Sequence, residues 1–117
     1  MKVLLLMLAV SLVGFTSCKK CKGEDPTARV VNNGSQGVSV HIATSGGNTI
    51  NINNIDPGQS SNFESYAAGT VTFTITVGNG GTSVDYTSTV PMEECFQYDI
   101  ILDANNVITT APTDLNE

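Results

Sequence analysis

The 117-residue chain carries 11 acidic side chains against 5 basic ones, a formal net charge of −6, and no Lys or Arg stands after Arg29. Such a chain repels phosphate backbones, so nucleic acid is not expected as a partner. Setting aside its apolar N-terminal segment leaves about 90 foldable residues, enough for one small core but not two.

That segment, MKVLLLMLAVSLVGFTSC, has a basic start and an apolar run from Val3 to Phe15. The run falls short of the roughly 18 to 20 residues that span a bilayer, so it reads as a secretory signal and not a membrane helix. Phe15-Thr16-Ser17-Cys18 resembles a bacterial lipobox, departing from it at Phe15, where Leu is usual. The resemblance implies a lipoprotein signal over residues 1–17 and acylation of Cys18, giving a stable membrane anchor in the cell envelope, with the outer membrane as the expected destination. Lys19, Lys20 and Lys22 stand beside that anchor, either against bilayer phosphates or as solvated linker charges. Charged and closed by Pro26, residues 18–27 read as the lipidated cysteine and a flexible tether, leaving 28–117 as the folded domain.

From Ala28 onward the hydrophobic period is two. The expected strands, in chain order, are Ala28 to Asn32, Gly37 to Ala43, Thr49 to Ile55, Ser61 to Ala67, Thr70 to Val77, Thr82 to Val90, Cys95 to Asp103 and Val107 to Thr110. In the second, Val38, Val40 and Ile42 point inward. The clearest is the fifth, where Val71, Phe73, Ile75 and Val77 alternate with threonines. In the seventh, Phe96, Tyr98, Ile100 and Leu102 share the inner face. Reversals are expected at Asn33-Gly34, Gly46 to Asn48, Asp56 to Gly58, Ala68-Gly69, Asn79 to Gly81, Pro91-Met92 and Asn105-Asn106, whose residues supply or fix the backbone angles of tight turns. The expected fold is therefore all-β, a single antiparallel β-sandwich of seven or eight strands, of the immunoglobulin or transthyretin kind. With no Trp and no cysteine pair at immunoglobulin spacing, an antibody-type domain is not expected.

The run Ile55-Asp-Pro-Gly-Gln-Ser60, followed by Ala67-Ala-Gly-Thr-Val-Thr-Phe-Thr-Ile75, resembles a turn-and-strand pattern of small Bacteroidota lipoproteins with immunoglobulin-like sandwiches. Tyr98 to Leu102 fits a later strand of that pattern. The resemblance implies fold and location and carries no catalytic residue.

The inventory for catalysis is thin, and no enzymatic activity is expected. His41, the only histidine, alternates onto the face opposite Val40 and Ile42, and no serine sits in a G-x-S-x-G context. Glu93 and Glu94 are neighbours that face opposite ways on a strand. Asp99 and Asp103 share a face but stand about 13 Å apart at strand rise, too far for a glycosidase pair. Cys18 and Cys21 have C-x-x-C spacing, yet they lie in a tether, and a single histidine makes no ordinary zinc site. No cofactor is expected; calcium is the one ion that the Asp- and Asn-rich loops leave open.

Counting reversals along the expected strands brings Cys95 to the end where Cys21 enters. Either the two form a disulfide, or Cys95 is a small buried hydrophobe and Cys21 a free thiol. The same count gathers the loops carrying Asp56, Asn79, Asp103 and Asn105 at the opposite end, as candidate binding loops or simply as turns. Two functions remain open: a non-catalytic binding or adhesion module for a glycan or protein ligand, and a structural or assembly subunit of an envelope complex or fimbria.

Overall fold

The computed structural model describes residues 21–78 and 82–116; the signal segment, Cys18 and Asn79 lie outside them. Eight strands fall among the described residues: β1 (Thr27–Asn32), β2 (Val38–Thr44), β3 (Thr49–Ile55), β4 (Glu64–Ser65), β5 (Gly69–Val77), β6 (Val84–Met92), β7 (Phe96–Leu102) and β8 (Ile108–Asp114). They form two four-stranded sheets, ordered β4-β1-β7-β8 and β3-β2-β5-β6.

The period-two pattern places the core between the sheets. Val38, Val40 and Ile42 of β2 and Val71, Phe73, Ile75 and Val77 of β5 are buried, facing Ala28, Val30, Tyr98, Ile100 and Leu102 of the other sheet. Tyr66 packs edge-on against Phe73, with ring centroids 6.2 Å apart. Phe96 is only half-buried and stacks on Tyr98 at 6.0 Å.

The sandwich is not wholly antiparallel: β1 and β7 pair in parallel, from Thr27 opposite Gln97 to Asn32 opposite Leu102. Parity explains this. Each turn reverses the chain, so first and seventh strands run the same way, and side-by-side placement makes them parallel neighbours. The partition also departs from the immunoglobulin constant arrangement, in which the first and second strands share a sheet; here β1 and β2 lie in different sheets.

Three local readings change. β6 continues through Pro91 and Met92, where a reversal was expected, because β6 is an edge strand and tolerates a residue without an N–H. β8 likewise runs on through Pro112 along the other edge. The fourth strand shrinks to Glu64–Ser65, although the chain from Ser60 already descends along β1, with Ser60 bridging Val31 and Ser61 N donating to Val30 O.

The expected tether is fastened from Cys21 onward. A disulfide joins Cys21 to Cys95 across 74 positions of sequence, with Cα atoms 5.7 Å apart. Cys95 N also donates to Glu24 O at 2.9 Å, and Tyr66 N donates to the carbonyl of the buried Pro26 at 3.0 Å. This disulfide end of the sandwich also receives the last turn, where Leu115 N donates to Cys95 O at 2.9 Å.

Candidate functional site

At the opposite end, the loops expected to gather are joined by hydrogen bonds. Asn33 N donates to Leu102 O, Gly58 N to Asn32 O, and Gly78 N to Gly37 O. Their hub is Asn32, a fully buried amide. Its Nδ2 donates to Gln36 O at 2.8 Å and Ile55 O at 2.9 Å, and its Oδ1 accepts from Gly34 N at 2.9 Å. One side chain thus satisfies groups on the β1–β2 loop and the end of β3, which buried backbone requires.

The candidate loop residues take different roles. Asp103 spends Oδ1 on its own turn, accepting from Asn105 N at 2.8 Å and Val107 N at 2.9 Å. Asn105 is exposed, and its neighbour Asn106 adopts φ 62°, the left-handed conformation that Asn tolerates. Asp56 is exposed and lines two clefts, one on each side of the end of β3. Among the described residues, no three His, Cys, Asp or Glu side chains converge on a point where a metal ion would sit.

The largest of these clefts, about 660 Å³, opens between edge strand β3 and the descending segment 59–64. Asn51, Asn53, Asn54, Gln59 and Asn62 supply amides, Ser60 and Ser61 hydroxyls, and Asp56 and Glu64 carboxylates, while Ile52 and Ile55 form its apolar floor. A β-bulge shapes the wall: Val38 pairs with Ile55 but Val40 with Ile52, so β3 spends three steps where β2 spends two. Asn54 absorbs the extra residue at φ 58°. Consequently Asn53 and Asn54 are both exposed, and Ile55 returns to the core beside Ile50 and Ile52. Bulges re-aim side chains in this way. The signal was present in the sequence: in Ile50-Asn-Ile-Asn-Asn-Ile55 the alternation slips by one at the double Asn.

A second, more apolar cleft of about 410 Å³ lies on the other flank, between β6 and β8, and includes Pro91, Phe96, Tyr98 and Pro112. There the Tyr98 hydroxyl accepts from Glu93 N at 2.9 Å.

His41 is exposed on β2, and its Nδ1 lies 2.8 Å from Asn51 Oδ1 on β3. Asp99 is paired with Arg29, Oδ1 to Nε at 3.0 Å, and that guanidinium also lies over the exposed Phe63 ring, 4.9 Å from its centroid. The Tyr66 hydroxyl is pushed up to about 12, first by burial and then by the nearby negative charge of Glu64. Neither the protein-family models nor the curated proteins compared with this chain match it.

Proposed function

We propose that this protein is a non-catalytic binding module of the cell envelope, anchored through an acylated Cys18 and engaging a glycan or protein ligand through the cleft beside β3. The observation that supports the reading most directly is the make-up of that cleft. Five amides and two hydroxyls surround an apolar floor, a lining suited to hydrogen-bonding a neutral or cationic ligand without transforming it. His41, the one candidate base, contacts an amide instead of a nucleophile. With β1 and β2 in separate sheets, the transthyretin kind of sandwich fits this chain better than the immunoglobulin kind.

The anchor and the binding role are tested separately. Cys18→Ser is expected to release the protein from membranes and remove lipid labelling; unmodified wild-type protein in the soluble periplasmic fraction would overturn the anchor. For the cleft, the wild-type full chain and an Asn53→Ala/Asn54→Ala/Gln59→Ala variant are compared on a glycan array and by adhesion to matrix proteins. Binding weakened in the variant supports the reading, and a wild-type chain that binds nothing on either surface argues for the structural subunit instead.

A further inference from the structure

We infer that the free edge of β3 is a docking strand for an extended, basic segment of a partner protein. The inference rests on the binding-module reading and names the class of ligand.

The four sheet edges are guarded unequally. β4 is two residues long; β6 carries Asp85 and Pro91; β8 carries Pro112 and Asp114. These are the usual means of keeping other strands away, because short, charged or proline-bearing edges cannot accept a full ladder. β3, Thr49–Ile55, has neither a charge nor a proline in seven residues. Among the described residues its protection is the bulge at Asn53-Asn54, which leaves the stretch from Thr49 to Ile52 regular in its pairing with β2. An edge of this kind presents main-chain donors and acceptors to an incoming strand, which supplies affinity, while side-chain pockets supply specificity.

The neighbouring cleft defines the side chains that such a strand must carry. Alternate residues of an added strand would continue the inner face of the sheet, over the half-buried Ile50 and Ile52, and look across at Ser61, Asn62 and Glu64 of the opposing edge. A long basic residue satisfies both surroundings: its methylenes cover isoleucine, and its head group reaches Glu64 on one wall or Asp56 at the end of the strand. A second copy of this chain fits less well. Its own β3 would place Ile50 and Ile52 against Glu64, leaving the carboxylate without a cationic partner. Acidic segments are disfavoured by the same two carboxylates and by the net charge of −6.

The probe is a synthetic peptide of alternating lysine and threonine, long enough to span β3, added to the full chain in detergent. Hydrogen exchange of the chain is expected to slow at Thr49–Ile55. The charge-matched peptide N-methylated at every residue, which keeps its lysines but has no main-chain donors, is expected to give no such protection. Glu64→Lys, at an exposed position, is expected to weaken binding about tenfold, with thermal unfolding confirming that the variant is folded. Unchanged exchange at β3, equal binding of the N-methylated peptide, or full binding by folded Glu64→Lys would each overturn the inference. So would concentration-dependent dimerisation that protects β3 without peptide. A glycan bound by the parent chain that ignores the peptide would sink this inference and leave the binding-module reading standing; failure of both ligands would remove both.

Discussion

The two ends of the sandwich are closed by different chemistry. At one end Cys95 is the junction: its sulfur is bonded to Cys21, its N–H donates to Glu24 O, and its carbonyl accepts from Leu115 N. At the other, Asn32 is the junction, and every bond that it makes is a hydrogen bond to backbone. Sheet ladders end where strands turn, so a small sandwich must satisfy the loose backbone groups at both ends by other means. The covalent junction fastens the entering chain, while the amide junction holds the loops and the bulged end of β3 that frame the cleft. Reductant should therefore loosen the first end and a single substitution the second.

The largest expected effect is on the covalent end. Replacing both Cys21 and Cys95 by serine should lower stability by up to about 4 kcal/mol, since the crosslink closes a long loop in the unfolded chain. Chemical denaturation of the wild type with and without reductant, set beside the variant, measures this; a reductant effect that persists in the variant would assign the loss to something other than this bond.

Next comes the amide end. Asn32→Ala leaves the buried Ile55 carbonyl, the part-buried Gln36 carbonyl and the Gly34 N–H without these partners and should cost about 3 kcal/mol. Asn32→Asp sharpens the point: it retains the acceptor for Gly34 N but loses both donors and buries a charge, so it should be worse than alanine at neutral pH and recover as the carboxylate protonates. Thermal melts over a pH series separate these outcomes. An aspartate variant as stable as wild type at neutral pH would show that the Nδ2 bonds contribute little.

The smallest effect is alkaline and again distinguishes the ends. Tyr66 is tied to Pro26 by a backbone hydrogen bond at the disulfide end, and its hydroxyl is pushed up to about 12. Above the ordinary tyrosine range near 10, the unfolded chain has released this proton and the folded chain has not, so the unfolded state binds fewer protons and stability falls as pH rises. The contribution is complete below about 10 and is lost towards about 12. Tyr66→Phe should flatten this decline. Hydrogen exchange should show the Pro26 and Tyr66 region loosening before the Asn32 loops; simultaneous loosening of both ends would contradict the comparison.

What the sequence by itself determined is what depends on near neighbours. Alternation in Thr70 to Val77 decides which side chains enter the core, because a strand turns successive residues to opposite faces. Turn residues such as Asp56-Pro57-Gly58 decide where the chain reverses, and the parity of those reversals gathers the loops at one end. Tertiary structure decided what depends on partners far apart in the chain. The parallel pairing of β1 with β7, the passage of β6 through Pro91 and the shortness of β4 follow from which strands lie at the edges, and a local pattern does not encode that. The joining of Cys21 to Cys95 needed a distance, 5.7 Å between Cα atoms, that no spacing in sequence supplies. Asn32 reads locally as the polar end of a strand; it is a buried hub only because Gln36 and Ile55 fold back over it. The cleft is of the same kind, since one wall comes from β3 and the other from segment 59–64, brought together by the packing of two separate sheets.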